Sequence, residues 1–212
     1  MIGRRRFLIA GSATLVAAAA MPGDGDRIAF RIEREGSDIG RHVLTFTAAE
    51  RGFDIAIAVD IAVGLGPITL YRYKLRGVEK WRDGQVIRMQ ATANDDGTAH
   101  EALAERGDMG LAVSGTDTEP YMAPADALPA THWNIDEMKG PWINPQGGKL
   151  LRPTVQMVGR EMLTLADGHA VSADHFETET DRRIDVWYDE RQRWTQLNAI
   201  AKDGSAIHYT LV

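Results

Sequence analysis

From Phe53 to Val63 the chain alternates without a break. Phe53, Ile55, Ile57, Val59, Ile61 and Val63 share one parity, and Asp54, Ala56, Ala58, Asp60 and Ala62 share the other. Successive side chains of a strand point to opposite faces, so this run predicts a strand with one face in the core. The next run, Ile68 to Gly77, sets Tyr71, Tyr73 and Leu75 against Arg72, Lys74 and Arg76. A slip of one residue would push those cations into the core, so matching faces constrain the register. The expected pairing opposes Ile61 to Tyr71, Val59 to Tyr73 and Asp60 to Arg72. Gly77 is expected to mark a bulge that bends its strand.

Further alternating runs predict strands at Arg27–Glu35, Arg41–Ala49, Gln85–Asn94, Ala99–Arg106, Met109–Ser114, Leu151–Val158, Glu161–Leu165, His169–Thr178, Arg183–Asp189, Trp194–Lys202 and Ala206–Val212. Asp-Gly pairs at Asp83-Gly84, Asp96-Gly97, Asp167-Gly168 and Asp203-Gly204 supply hairpin turns, because both residue types tolerate positive φ. One segment breaks the pattern. Six of the eight prolines lie from Pro120 to Pro153, with Trp133 and Trp142 among them. Strand pairing cannot run through that density. The segment, about 115–150, reads as a crossover or lid, with short helices expected at Pro124–Leu128 and Thr131–Met138. So many strands in up-down order predict an all-β fold: one large curved antiparallel sheet, a barrel or half-barrel, under a proline-rich lid.

The N-terminus has a different character. Arg4-Arg5-Arg6-Phe7-Leu8 precedes an uncharged run from Ile9 to Ala20. A basic start, a short apolar stretch and small residues at its end describe an export signal, and the Arg-Arg-x-Phe-Leu order resembles the twin-arginine class. Ala18 and Ala20 fit a cleavage site after Ala20, leaving one β-rich domain at 21–212. An ordinary secretory signal or an uncleaved anchor is the alternative. The expected location is the periplasm, with membrane contact only during export.

Composition narrows the chemistry. The formal charge is -6, from 24 Lys and Arg against 30 Asp and Glu, so a nucleic-acid partner is not expected. Cysteine is absent, which excludes disulfide frameworks and thiol chemistry and suits an oxidising compartment. No metal motif, nucleophile elbow or phosphate loop is present, so no cofactor or metal is expected. His42, His100, His132, His169, His175 and His208 are scattered. Carboxylate pairs such as Asp185 with Asp189, or Glu177 with Glu179, read as strand-surface residues.

The distal strings Asp185-Val186-Trp187-Tyr188-Asp189, Arg193-Trp194 and Asp203 to Leu211 stand out. So do Glu79-Lys80-Trp81-Arg82-Asp83-Gly84 and Thr131-His132-Trp133. Together they resemble a family of exported bacterial proteins catalogued as a domain of unknown function. More remotely, the architecture is similar to the curved sheets of lipoprotein carriers of the LolA/LolB type. That likeness implies a hydrophobic cavity and carries no catalytic residue with it.

Trp187 and Tyr188 must point to opposite faces of one strand, with Trp194 beyond the turn. With Trp133, Trp142 and His132 from the lid, they are the candidate lining of a ligand pocket. The alternative is that these aromatics simply cap the core. Three readings follow: a carrier for an apolar, lipid-like ligand; an envelope interaction or assembly factor without a ligand; and, least favoured, a hydrolase or isomerase using His132, His175 or a carboxylate pair.

Overall fold

The computed structural model describes residues 25–65, 68–201 and 203–212. The expected export signal at 1–20 lies outside them. Eight strands follow one another as antiparallel neighbours: β1 (Arg27–Arg34), β2 (Ser37–Ala49), β3 (Gly52–Leu65), β4 (Ile68–Arg82), β5 (Gln85–Asp95), β6 (Thr98–Gly107), β7 (Gly110–Gly115) and β8 (Thr118–Met122). A crossover then carries β9 (Leu128–Pro129), a 3-10 turn at Ile135–Lys139, β10 (Trp142–Ile143) and β11 (Leu150–Leu151). Five more strands complete the chain: β12 (Thr154–Thr164), β13 (Ala170–Glu179), β14 (Arg183–Asp189), β15 (Trp194–Ile200) and β16 (Ala206–Leu211).

The last strand returns to the first. β16 pairs antiparallel with β1, so a single 13-stranded sheet runs from β12 through β16 and β1 to β8. Its edges are β12 and β8, and the sheet curls without closing. The three short strands of the crossover make a separate sheet in the order β11-β10-β9. Asp83-Gly84 and Asp96-Gly97 both have positive φ at each residue, the requirement of tight hairpin turns.

The faces are as the alternation predicts, but the β3–β4 register is displaced by two residues. Ile61 opposes Tyr73, Val59 opposes Leu75, and Asp60 opposes Lys74; Arg72 opposes Ala62. Pairing extends to Leu65 and Ile68 at the tip, and a bulge interrupts it between Val63 and Gly64. Both effects were invisible in the alternation, which repeats every two residues. Asp60 finds its cation diagonally, in Arg76 at 2.7 Å.

Three other expectations are corrected. Gly77 makes no bulge: it pairs in step with Ile57 and Ala91, and a Cβ there would sit 3.4 Å from that of Ala91. The break in β4–β5 falls at Lys80/Trp81 instead. The two strands expected at Leu151–Val158 and Glu161–Leu165 merge into β12, which takes up Val158 in a bulge while Gly159 pairs with His175. No helix forms at Pro124–Leu128, and the second expected helix shrinks to the 3-10 turn. At the second, Thr131 and His132 give their backbone N–H groups to the Glu137 side chain and His132 takes a positive φ, so helical structure begins only at Ile135.

The crossover does more than cover the mouth. Trp142 and Ile143 are almost fully buried, and Ala127 and Met138 join them in the same apolar core as Phe46, Ile55, Met89 and Val186. It packs into the concavity, with Trp133 against Phe46, Phe53 and Trp81 and with Trp142 and Ile143 in the core. Space remains beside it, between β2–β4 and β14–β16.

Candidate ligand-binding site

That space is a cavity of about 670 Å³. The inner faces of β2, β3 and β4 supply His42, Ile57, Val59, Ile61 and Tyr73. Across from them, β14, β15 and β16 supply Ile184, Leu197, Ala199, Ile207 and Tyr209. β4 and β14 lie six steps apart in the sheet, roughly 29 Å if it were flat. Residues of both strands face one cavity because the sheet curls around it. Arg34, Asp203, Arg182, Asp95 and Tyr71 stand at its rim.

The crossover closes the inner end with Thr131, His132 and Trp142. Two buried carboxylates hold it there. Glu79, on the inner face of β4, accepts from the Thr131 hydroxyl at 2.7 Å, the Trp81 indole at 2.7 Å and the Trp133 indole at 3.2 Å. Burial pushes it up to about 7, against the pull of these donors. Glu137, in the 3-10 turn, accepts from the backbone N–H groups of Thr131 at 3.2 Å and His132 at 2.7 Å. Burial raises its pKa too.

His132 has φ +62°, a conformation uncommon for a residue with a side chain. The Glu137 carboxylate locks it by holding its N–H. Its Nδ1 lies 3.1 Å from Glu137 Oε2, an ion-pair distance without hydrogen-bond alignment. The ring meets Trp142 and Trp194 edge-on, each at 5.6 Å between centroids. His42 projects from β2 toward the same aromatics, 5.3 Å from Trp194 and 6.0 Å from Tyr209. It is buried, its Nε2 has no hydrogen-bond partner, and desolvation drives its pKa down to about 3.

The six candidate aromatics and histidine separate into two sets. His132, Trp142 and Trp194 converge at the inner wall of the cavity. Trp133, Tyr188 and Trp187 do not line it. Trp133 packs edge-on against Phe46, Phe53 and Trp81 around Glu79. Tyr188 is wholly buried against Phe176. Trp187 faces outward, as its parity with Tyr188 requires, and stacks on His175 at 4.2 Å. His42 and Tyr209 were missed, although His42 shares the parity of Leu44 and Phe46, and that was the available signal.

His175 lies on the outer face, its ring nitrogens 2.9 Å from Glu161 and 2.9 Å from Asp185. It therefore does not converge with His132. Asp189 accepts from the backbone of Arg191 and Arg193 in a turn, and Glu177 pairs with Arg183. No cluster of three or more His, Asp or Glu suited to a metal occurs among the described residues.

The fold and cavity together define an open, barrel-like antiparallel protein with an internal apolar pocket. The chain belongs to the family described as Domain of unknown function (DUF6134), which matches residues 30–212. It is also similar to a crystal structure described as a beta-barrel-like protein of domain of unknown function DUF1849 from Brucella abortus. That similarity has a TM-score of 0.60 at 11% identity, over 88% of this chain and 94% of the other. At that identity the likeness is one of fold. No curated protein matches the chain.

Proposed function

We propose that this is a periplasmic binding or carrier protein that holds an apolar, lipid-like small molecule in the cavity between β2–β4 and β14–β16. The observation that carries this reading is the cavity itself. Its volume of about 670 Å³ lies within the ordinary range for small-molecule pockets, and aliphatic and aromatic side chains make most of its wall. Water gains little from such walls, whereas an apolar ligand removes their area from water at roughly 25 cal/mol per Å². The likeness to carriers of the LolA/LolB type belongs to this proposal, as a shared use of a curved sheet. So does export: the twin-arginine-like start would deliver the chain to a compartment suited to a protein without cysteine.

A second reading rests on the edge strand β12, where Met157, Val158 and Met162 are exposed beside unpaired backbone. An envelope protein could pair there, with the cavity incidental.

Native mass spectrometry of the exported chain, purified without detergent, tests both. The carrier reading expects a mass starting at Met21 plus a small-molecule adduct that organic solvent removes. A bare chain that takes up no apolar compound contradicts it. A stoichiometric second polypeptide in place of the adduct favours the assembly factor.

A further inference from the structure

His42 is a polar residue on an otherwise apolar strand face. Its neighbours across the sheet are Phe30 and Val59, and its own face continues into Leu44 and Phe46. It lies four residues along β1 from Arg34 at the rim, a depth of roughly 13 Å. At that depth it lines the cavity, and its buried Nε2 has no hydrogen-bond partner. A buried polar group left unpaired is destabilising, a penalty an aliphatic side chain does not carry. A residue that breaks the local pattern without a compensating hydrogen bond points to a functional position.

We propose that the ligand is an uncharged amphiphile, an apolar molecule bearing one hydroxyl or equivalent neutral hydrogen-bonding group, and that His42 reads that group at the inner wall. This rests on the carrier reading and deepens it. The aromatic rings of Trp194 and Tyr209 flank the position and leave the apolar body of the ligand to the aliphatic walls. A charged head would find no free counter-charge at this depth. Glu137 already faces His132, and Arg34 is held at the rim by Asp203 and Ser205. Burial keeps His42 itself neutral, so it offers one donor and one acceptor and no charge. An unpaired charge carried inward would bear the full desolvation cost.

The test is displacement of bound 1-aminoanthracene from the full chain by 1-decanol, 1-chlorodecane and decanoate. The chain length is matched to the depth, and only the head differs. The expected result is 1-decanol binding at least tenfold tighter than 1-chlorodecane. His42→Leu should fold normally, keep its affinity for 1-chlorodecane and bring the two within twofold of each other. His42→Gln should restore part of the preference. Equal affinity for alcohol and chloride in the unaltered chain overturns the proposal but leaves the carrier reading standing. So does tightest binding of decanoate, which would assign recognition to the rim arginines. If neither the dye nor any of the three binds, the carrier reading fails and the proposal with it.

Discussion

His42 and Glu79 titrate in opposite directions on folding. His42 falls from 6.5 to about 3, and Glu79 rises from 4.5 to about 7, each because burial disfavours its charged form. Between pH 3 and 6.5 the unfolded chain holds a proton on His42 that the folded chain lacks, so this group makes stability rise with pH. Between pH 4.5 and 7 the folded chain holds a proton on Glu79 that the unfolded chain has released, so that group makes stability fall with pH. Each slope is about 1.4 kcal/mol per pH unit, and they oppose each other where the windows overlap. Glu137, also raised by burial, adds to the falling side. Thermal unfolding between pH 4 and pH 7 should therefore separate two variants. His42→Leu should be more stable than the parent, most of all at the acid end, and should lose stability as pH rises. Glu79→Gln should lose less stability than the parent as pH rises, because one of the two opposing carboxylates is gone. The same slope in all three proteins would contradict the burial of both groups.

At the scale of elements, the crossover and its contact with β7 decide the shape of the site. A Cβ on Gly115 would meet the Gly147 carbonyl oxygen at 2.3 Å, and that oxygen also accepts from the Asp117 N–H at 3.0 Å. Only glycine allows this approach. Gly115→Val should push the 144–148 loop off the sheet and destabilise the fold by about 1–3 kcal/mol. Hydrogen exchange at Asp117 should accelerate with it. Gly107, where a Cβ would meet nothing, serves as the neutral control: Gly107→Ala should change neither quantity. Strand faces were legible in the sequence because alternation reports them directly, as in Phe53 to Val63. Register was not, because a shift of two residues preserves every face. The interior course of the crossover was hidden for a different reason. Its anchors are long-range: Thr131 reaches Glu79 and Tyr121 reaches the Gly148 carbonyl, and no local pattern encodes such pairs. Glu79 itself carried a faint signal, an acid on the parity of Leu75 and Trp81.

On the scale of the whole molecule, one meander closes through β16 onto β1, and the curl that follows divides the interior. The crossover fills part of it, where Trp142 and Ile143 sit in the core. The side of β14–β4 keeps its cavity, and there His42, His132 and Trp194 gather from segments far apart in the chain. The sequence placed His132, Trp142 and Trp194 in the candidate set, yet it could not tell inward tryptophans from Trp187 on the outer face without the core's direction. The central claim is that this cavity is the binding site. It is tested most directly by titrating 1-aminoanthracene into the parent chain and into Ala199→Trp. Ala199 lies between Ile184 and Ile207 on the cavity wall, so an indole there occupies the space a ligand would use. The account predicts saturable binding at one site in the parent and at least a tenfold loss in Ala199→Trp with the fold intact. Equal binding by both proteins, or none by the parent, would contradict it.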